Sequence, residues 1–173
     1  MKKRIVTGIM LALLFIGMLT LAFDIQTVKA ESKTWTVDDD GPADFHTIQE
    51  AINAASDEDT IFVRNGTYYE NVVVNRSVSL IGENRDTAVI DGKRSGIVVE
   101  VTVSNVSIKN FTIRGGSSNI WISYCSNVSI SNSNVKNAGA TGIMVTHSST
   151  ICVSHNTLSL IHISEPTRLG MIS

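Results

Sequence analysis

The chain has 173 residues, of which 43% are hydrophobic and 17% are charged. This length suits a single domain, and this composition excludes an intrinsically disordered chain. Two cysteines are too few for a disulfide scaffold, and the basic residues are scattered rather than clustered, which excludes a nucleic-acid-binding surface. The fold is therefore expected to depend on the packing of apolar side chains.

The first thirty residues have the pattern of an export signal. A basic start at residues 2–4 precedes residues 5–23, a stretch of nineteen residues without a charge that would also suffice to span a bilayer. Val28 and Ala30, on either side of Lys29, resemble an Ala-X-Ala signal-peptidase site, which favours cleavage over retention as a membrane anchor. Cleavage leaves 10 basic and 15 acidic side chains, a formal charge of −5. We expect 1–30 to be a signal peptide and the protein to be secreted, periplasmic or held at the cell surface.

Short strands and one helix are predicted next along the chain. A strand at 35–37 ends in an Asp-rich turn that contains Gly41 and Pro42. A helix follows, because Thr47 and Glu50 have capping-box spacing and apolar residues then recur at helical intervals through Ala55. Short β-branched runs separated by turn residues predict the next four strands, at 61–63, 72–74, 78–81 and 88–90.

A repeat of 22 to 23 residues occupies the second half of the chain. Its apolar positions alternate with polar ones, which indicates strands with one buried face. Such repeats bury that face only by stacking in parallel, as in a parallel β-helix. Stacking would also place Asn105 over Asn127 in a polar column at the turns. The recurring apolar sets are Ile97, Ile120 and Ile143; Val99, Ile122 and Val145; Val106, Val128 and Ile151; and Ile108, Ile130 and Val153.

Two groups of segments resemble known families. Residues 38–55, which begin Asp-Asp-Asp-Gly-Pro, together with 59–72 and 80–82, resemble the N-terminal cap and first turns of pectin-lyase-like proteins. The Val-Ser-Ile motifs at 106–110 and 128–132 are similar to the NosD-type repeat of carbohydrate-binding and sugar-hydrolase proteins. The resemblance implies an all-β fold: a right-handed, single-stranded parallel β-helix with a short N-terminal capping helix.

The last residues depart from this repeat. Pro166 stands where strand pairing would need an amide, and residues 158–168 are similar to the translation of a transposase sequencing adapter. We therefore expect 31–157 to be the N-terminal part of a β-helix domain and 158–173 to be read-through, with a natural C-terminal cap as the alternative. Leu158 nevertheless suits the interior column of Ile113 and Val135.

The predicted turns offer little for catalysis. Glycoside hydrolysis needs a carboxylate pair, and pectate-lyase-like elimination needs an acidic calcium cluster, yet Glu100 is the one carboxylate between Ser95 and Thr157. The Asp, Asp and Arg constellation of pectin methylesterases has no matching motif. We expect no catalytic residue and predict a carbohydrate-binding or adhesive scaffold at the cell surface. The alternatives are the N-terminal part of a polysaccharide lyase or hydrolase, a NosD-like periplasmic copper-maturation component, and a purely structural envelope protein.

One outward column is the predicted binding site. Ile120 and Ile122 point inward, so Trp121 points outward, and the 23-residue spacing places other apolar residues beside it. An exposed indole can stack on a sugar or contact a partner protein, whereas cover by a long turn is the alternative. The predicted partners are a polysaccharide or envelope glycan and a cell-surface protein. The candidate residues are Trp121, Tyr124, Val98 below the indole and Met144 above it.

No cofactor is predicted. Asp38, Asp39 and Asp40 offer adjacent oxygens that suit calcium, but they lack the glycine-spaced alternation of a calcium loop, which favours a solvated turn. The NosD resemblance points to copper ligands among the histidines and cysteines. The repeat, however, places these side chains in different columns. They are His147, His155, Cys125 and Cys152.

Five Asn-X-Ser/Thr motifs make glycosylation of an exported protein possible. Stacked turns also select Asn, and an Asn held in a ladder cannot carry a glycan. Asn65 and Asn75, in the less regular first turns, are therefore the predicted acceptors.

Overall fold

The computed structural model describes residues 31–160, which form fifteen strands and one short helix. Within that range there is no helix whose length and hydropathy would let it span a bilayer. The predicted signal segment, 1–30, lies outside the described residues. The elements are β1 (Thr34–Val37), α1 (Ile48–Ala54), β2 (Thr60–Val63), β3 (Gly66–Tyr68), β4 (Val72–Val74), β5 (Ser79–Gly82), β6 (Ala88–Asp91), β7 (Ile97–Val101), β8 (Val106–Lys109), β9 (Thr112–Arg114), β10 (Ser118–Ser123), β11 (Ser126–Ser131), β12 (Asn134–Ala138), β13 (Thr141–Thr146), β14 (Ser149–Ser154) and β15 (Thr157–Leu160).

The strands form three parallel sheets. The six-stranded sheet has the order β1-β2-β5-β8-β11-β14, the five-stranded sheet β15-β12-β9-β6-β3, and the four-stranded sheet β13-β10-β7-β4. Each of the units β2–β4, β5–β7, β8–β10 and β11–β13 gives one strand to every sheet, so each is one complete turn. The predicted parallel β-helix is therefore confirmed.

The interior consists of apolar columns that run through the stacked turns. In the six-stranded sheet Ile61 pairs with Leu80, Leu80 with Ile108, and Ile108 with Ile130. All four side chains are 0% exposed. Full burial of each such side chain is worth about 1.5–3 kcal/mol, so these columns stabilise the stack.

Helix α1 covers the start of the core. The hydroxyl of Thr47 accepts a hydrogen bond from the amide of Glu50 at 3.3 Å, as the capping-box spacing predicted. The carboxylate of Glu70, which follows β3, accepts from the amides of Ile48 and Gln49 at 2.9 and 3.0 Å. These contacts satisfy amides of the first turn that have no partner within the helix. The buried face of α1 consists of Ile48, Ala51 and Ile52.

Asparagine ladders connect equivalent loops of successive coils at two places in the stack. The Nδ2 atom of Asn127 donates to Oδ1 of Asn105 at 2.9 Å, which confirms the predicted column. A second ladder, from Asn132 to Asn110, has the same length. All four residues have positive φ angles between 46° and 65°, a region that Asn tolerates better than most residues. Asn therefore serves these turns through both its backbone and its side chain.

The pairing of β7 with β10 differs from the predicted register. Val99, and not Ile97, pairs with Ile120, so the spacing here is 21 residues rather than 23. The cause is turn length, because residues 92–96 separate β6 from β7 whereas only 115–117 separate β9 from β10. The two additional residues shift β7 by two positions. The predicted registers of β10 with β13, and of β8, β11 and β14, are confirmed.

Strand β3 lies between the predicted strands at 61–63 and 72–74, where only turn residues were predicted. The segment pairs in parallel with β6, and its inward side chain, Tyr68, is 3% exposed. The Tyr68 hydroxyl shares its one proton between the carbonyl oxygens of Arg64, at 3.1 Å, and Val37, at 3.3 Å. Burial raises the pKa of Tyr68, so this hydroxyl stays protonated and remains a donor.

The final strand extends past the predicted domain boundary at 157. Leu158 pairs with Val135, as its place in the interior column predicted, and backbone pairing continues to Leu160. The side chain of Leu158 is 54% exposed on this last described turn. Residues 161–173 lie outside the described residues, and the origin of 158–173 stays a prediction.

Candidate functional site

Trp121 lies on the outer face of the four-stranded sheet. Its neighbours Ile120 and Ile122 are 0% exposed in the interior, whereas Trp121 is partly exposed. The indole Nε1 donates to the hydroxyl of Thr146 on the next turn at 3.2 Å. This bond satisfies the one polar atom of the indole, so the rest of the ring presents apolar surface.

The column that contains Trp121 has two members that were not predicted from the sequence, Glu100 and Val73. Met144 pairs with Trp121 from the next turn, as predicted, but the residue below Trp121 is Glu100. The partner of Glu100 one turn earlier is Val73, which is 37% exposed. The column therefore combines a carboxylate, an indole and a thioether on one face.

The predicted place of Val98 below Trp121 is wrong. The two-residue shift of β7 puts Glu100 there, and Val98 is 0% exposed. Two neighbouring turns cover Val98, because a Cβ atom built at Gly92 or Gly116 would lie within 2.8 Å of its Cγ2. The sequence left open that a long turn covers the side chain of Trp121. In the structure it is Val98 whose side chain is covered in this way.

Tyr124 and His147 form a stacked pair close to this column. Their ring centroids are 4.8 Å apart and the ring planes differ by 3°. They occupy equivalent turns after β10 and β13 with φ angles of 54° and 48°, and Tyr124 is 76% exposed. We call Glu100, Trp121, Tyr124, Met144 and His147 the aromatic surface. Tyr124 was predicted from the sequence as part of this surface, whereas His147 was not.

The chemistry of the aromatic surface suits a saccharide. Aromatic rings pack against the apolar face of a sugar, and a carboxylate accepts hydrogen bonds from its hydroxyls. Glu100 is the one carboxylate on the four strands of this sheet in the described structure. A single carboxylate can act as a general base, but glycoside hydrolysis needs two.

The acidic turn after β1 brings three carboxylates together. Oxygens of Asp38, Asp39 and Asp40 lie within 4.8 Å of one another. Asp39 accepts from the amide of Thr67 at 3.2 Å, and Asp38 lies 3.8 Å from the Arg64 guanidinium. These contacts tie the turn to β2 and β3. That the turn is solvated rather than a calcium site stays a prediction.

The histidines and cysteines of the copper hypothesis occupy separate places. Cys125 is buried with its thiol directed at the carbonyl of Val101, whereas Cys152 is exposed on the outer face of β14. His147 stacks on Tyr124, and His155 lies in the turn after β14. Within residues 31–160 the structure brings no three of these side chains together.

The two predicted glycosylation acceptors differ in their contacts. Asn65 is exposed, its backbone N–H donates to the carboxylate of Glu83, and its side-chain oxygen accepts from the hydroxyl of Thr87. Asn75 is exposed in the turn between β4 and β5. Both residues are therefore exposed enough to carry a glycan, and their glycosylation stays a prediction.

The chain is similar to a surface protein and to pectin-modifying enzymes. It is 33% identical over 101 residues to a cell surface glycoprotein of Methanothermus fervidus, an alignment that covers 57% of this chain and 17% of that protein. Among solved structures, the pectin methylesterase from carrot matches with a TM-score of 0.54 at 18% identity, over 58% of this chain and 39% of that one.

Two further structures extend this likeness. A pectin methylesterase in complex with a hexasaccharide matches with a TM-score of 0.55 at 16% identity, over 76% of this chain and 54% of that one. The pectin methylesterase PemA from Erwinia chrysanthemi matches with a TM-score of 0.51 at 18% identity, over 75% and 48%. The chain thus spans about half or less of the length of these proteins.

These structures share the fold predicted from the resemblance, a right-handed, pectin-lyase-like parallel β-helix. The family match begins at the first residue of β1 and ends at Ile120, immediately before Trp121. Because residues 34–120, half of the chain, match the pectinesterase family, the protein belongs to that family.

Proposed function

We propose that this protein is a glycan-binding scaffold of the cell surface or the extracellular space. The observation that carries the proposal is the aromatic surface, where an indole, a stacked Tyr–His pair and a carboxylate share one face of the helix. The hexasaccharide complex of a structural neighbour and the surface location of the Methanothermus relative support it. A cell-surface protein is the second kind of partner that such an apolar face fits.

The geometry favours an extended saccharide that lies across the turns. Neighbouring strands of a sheet are about 4.8 Å apart, so a chain running along the column meets a new side chain at each turn. From the first turns to the last it would pass Val73, Glu100, Trp121 and Met144. Tyr124 and His147 would flank it on one side.

Pectin methyl-ester hydrolysis is the second candidate, and family membership favours it. Glu100 is the carboxylate that the aromatic surface offers as a general base toward water. On this hypothesis the Glu100→Gln variant would lose release of methanol from pectin while it still bound the polysaccharide. On the scaffold proposal, neither wild type nor variant releases methanol above a mock preparation.

The test is retardation of the full chain in native gels that contain methyl-esterified pectin, polygalacturonate or a neutral glucan. We expect retardation by at least one of them and a loss of about tenfold in apparent affinity for Trp121→Ala, since an aromatic contact of this size is worth about 1.5 kcal/mol. Phe62→Ala is the matched control, because Phe62 is an aromatic residue partly exposed on the outer face of the six-stranded sheet. Equal losses for both variants, or retardation by none of the polysaccharides, would contradict the proposal.

A further inference from the structure

A concave region lies between the five-stranded and four-stranded sheets, and none of its lining residues belongs to the aromatic surface. It is a groove of about 640 Å³ at the turns that follow β6, β9 and β12. Its lining contains two arginines and a single carboxylate, and glycines form much of the rest. The lining residues are Asp91, Arg94, Arg114, Gly115, Gly116, Ser117, Asn137 and Gly139.

Arg114 is held in place by the carboxylate of the groove. Its Nε atom donates to Oδ2 of Asp91 at 2.7 Å, and Oδ1 of Asp91 accepts from the amide of Lys93 at 2.9 Å. Both carboxylate oxygens are therefore used by the protein. The Arg114 side chain remains 35% exposed, and within the described residues its Nη atoms have no hydrogen-bond partner. A positioned guanidinium thus keeps its terminal donors available.

Two further cations adjoin Arg114. Arg94 is exposed in the turn between β6 and β7, where its φ angle is 64° and its amide donates to the carbonyl of Gly115. Lys136 pairs with Arg114 from the next turn of the helix and shares its outward face. The ammonium of Lys93, in contrast, lies 4.4 Å from the ring of Tyr69 and is engaged there.

Glycine allows the turns to approach each other here. Gly115 has a φ angle of 77°, and a Cβ atom there would lie 2.6 Å from the carboxylate of Asp91. A Cβ atom at Gly116 would lie 2.4 Å from the carbonyl oxygen of Ser118. Larger residues would displace Asp91 and with it Arg114. The shape of the groove and the position of its guanidinium therefore depend on the same turn.

We propose that this groove binds a tetrahedral oxyanion ester, the sulfate or phosphate group of a substituted glycan. One guanidinium fork satisfies a planar carboxylate through two parallel bonds. Here two arginines from different elements line the groove, Arg94 of the turn before β7 and Arg114 of strand β9, and Lys136 of strand β12 lies beside Arg114 outside the lining. Cations held by separate elements can each meet a different terminal oxygen of an ester sulfate or phosphate. The excess of cations is local, because the chain without its first thirty residues carries a formal charge of −5. The oxyanion site does not depend on the aromatic surface, whereas the glycan as carrier of the ester rests on the proposed function.

The test uses one polymer backbone with different substituents. Binding of the full chain is measured on surfaces that carry dextran, dextran sulfate, dextran phosphate or carboxymethyl-dextran at equal substitution. We expect at least one of the sulfate and phosphate esters to bind about tenfold more tightly than the carboxymethyl form, a difference of the size of one charge-assisted hydrogen bond. Which ester binds more tightly identifies the source of the oxyanion. Equal binding of carboxymethyl-dextran, or no binding of either ester, would overturn the proposal.

Variants locate the binding. Arg114→Gln and Arg94→Gln are each expected to weaken binding of the ester about tenfold. Arg94 has no side-chain partner in the described structure, so its variant reports on the groove even if loss of the Arg114–Asp91 pair disturbs folding. Arg76→Gln, an exposed arginine between β4 and β5, removes the same charge elsewhere and should leave binding unchanged. Equal losses for Arg76→Gln and Arg94→Gln would show a non-specific charge effect and overturn the proposal.

Trp121→Ala should leave ester binding intact, so this test and that of the aromatic surface fail independently.

Discussion

Replacement of Ile122 by alanine tests the columnar core quantitatively. The side chain of Ile122 is 0% exposed between two turns of the four-stranded sheet. The change removes three carbon atoms at about 0.8 kcal/mol each, and the cavity left in a rigid stack adds to this loss. We expect the free energy of unfolding to fall by about 3–4 kcal/mol.

The matched control is Val145→Ala in the same column. Val145 pairs with Ile122 one turn later but is 44% exposed. This change removes two carbon atoms that are only partly buried, so we expect a loss of about 1 kcal/mol. The one additional carbon atom of isoleucine accounts for about 0.8 kcal/mol of the difference between the two variants, and the rest measures burial in the stack.

The assay is urea unfolding followed by circular dichroism, with the midpoint and the m value fitted for each variant. An unchanged m value shows that the shift in midpoint is a change in stability. Losses of equal size for Ile122→Ala and Val145→Ala would refute the columnar register. A loss below about 1 kcal/mol for Ile122→Ala would refute its burial.

Three further predictions concern other parts of the chain. Burial alone would raise the pKa of Asp59, but hydrogen bonds from the amides of Lys33 and Ser56 and from the indole of Trp35 outweigh it and lower that pKa. The stability that Asp59 contributes is therefore greatest above pH 4 and is lost as the pH falls through the lowered pKa. Asp59→Asn should cost about 1.5–3 kcal/mol at pH 7 and make the melting temperature less dependent on pH in the acid range of a thermal-melt series. Peptide mass spectrometry of the exported protein should find glycans on Asn65 or Asn75 and none on Asn105 and Asn127, whose side chains form a ladder; a glycan on either ladder residue would contradict the structure. Resequencing of genomic DNA beyond the Thr157 codon should replace the adapter-like residues with further 22- to 23-residue repeats, and genomic codons for 161–173 would contradict the read-through hypothesis.

The fold was predictable because two separate patterns in the sequence mark the interior residues of a β-helix. Inward positions alternate with outward ones along each strand, and the same positions recur one turn later, as Ile108 and Ile130 do. The capping role of Thr47 was equally local, because it depends on a spacing of three residues. Both signals come from burial and hydrogen bonding within short segments.

The candidate site was less predictable because it depends on turn lengths. Ile97 and Val99 are both apolar, so pairing Ile120 with Ile97, at the 23-residue spacing, is as plausible as pairing it with Val99. The structure pairs Ile120 with Val99, two residues further along β7. The correct register exchanges Val98 for Glu100 beside Trp121. Alternation along a strand cannot reveal such a shift by two, since it preserves which residues face inward.

The basic groove was missed for a different reason. Asp91 and Arg114 are 23 residues apart and belong to successive turns, so the sequence shows them as isolated charges. Only the parallel pairing of β6 with β9 brings them into contact. The stacking of Tyr124 on His147 likewise arises from equivalent turns with positive φ angles, which apolar periodicity does not report.

The most direct test of the glycan-binding claim is the tryptophan fluorescence of the full chain, titrated with a methyl-esterified galacturonate hexasaccharide. The chain contains Trp35 and Trp121, so the same titration of Trp121→Phe isolates the signal of the indole on the aromatic surface. We predict a saturable change in wild-type emission that disappears in Trp121→Phe. A change that persists in Trp121→Phe, or the absence of any change for a wild-type chain that methyl-esterified pectin retards in gels, would contradict the account.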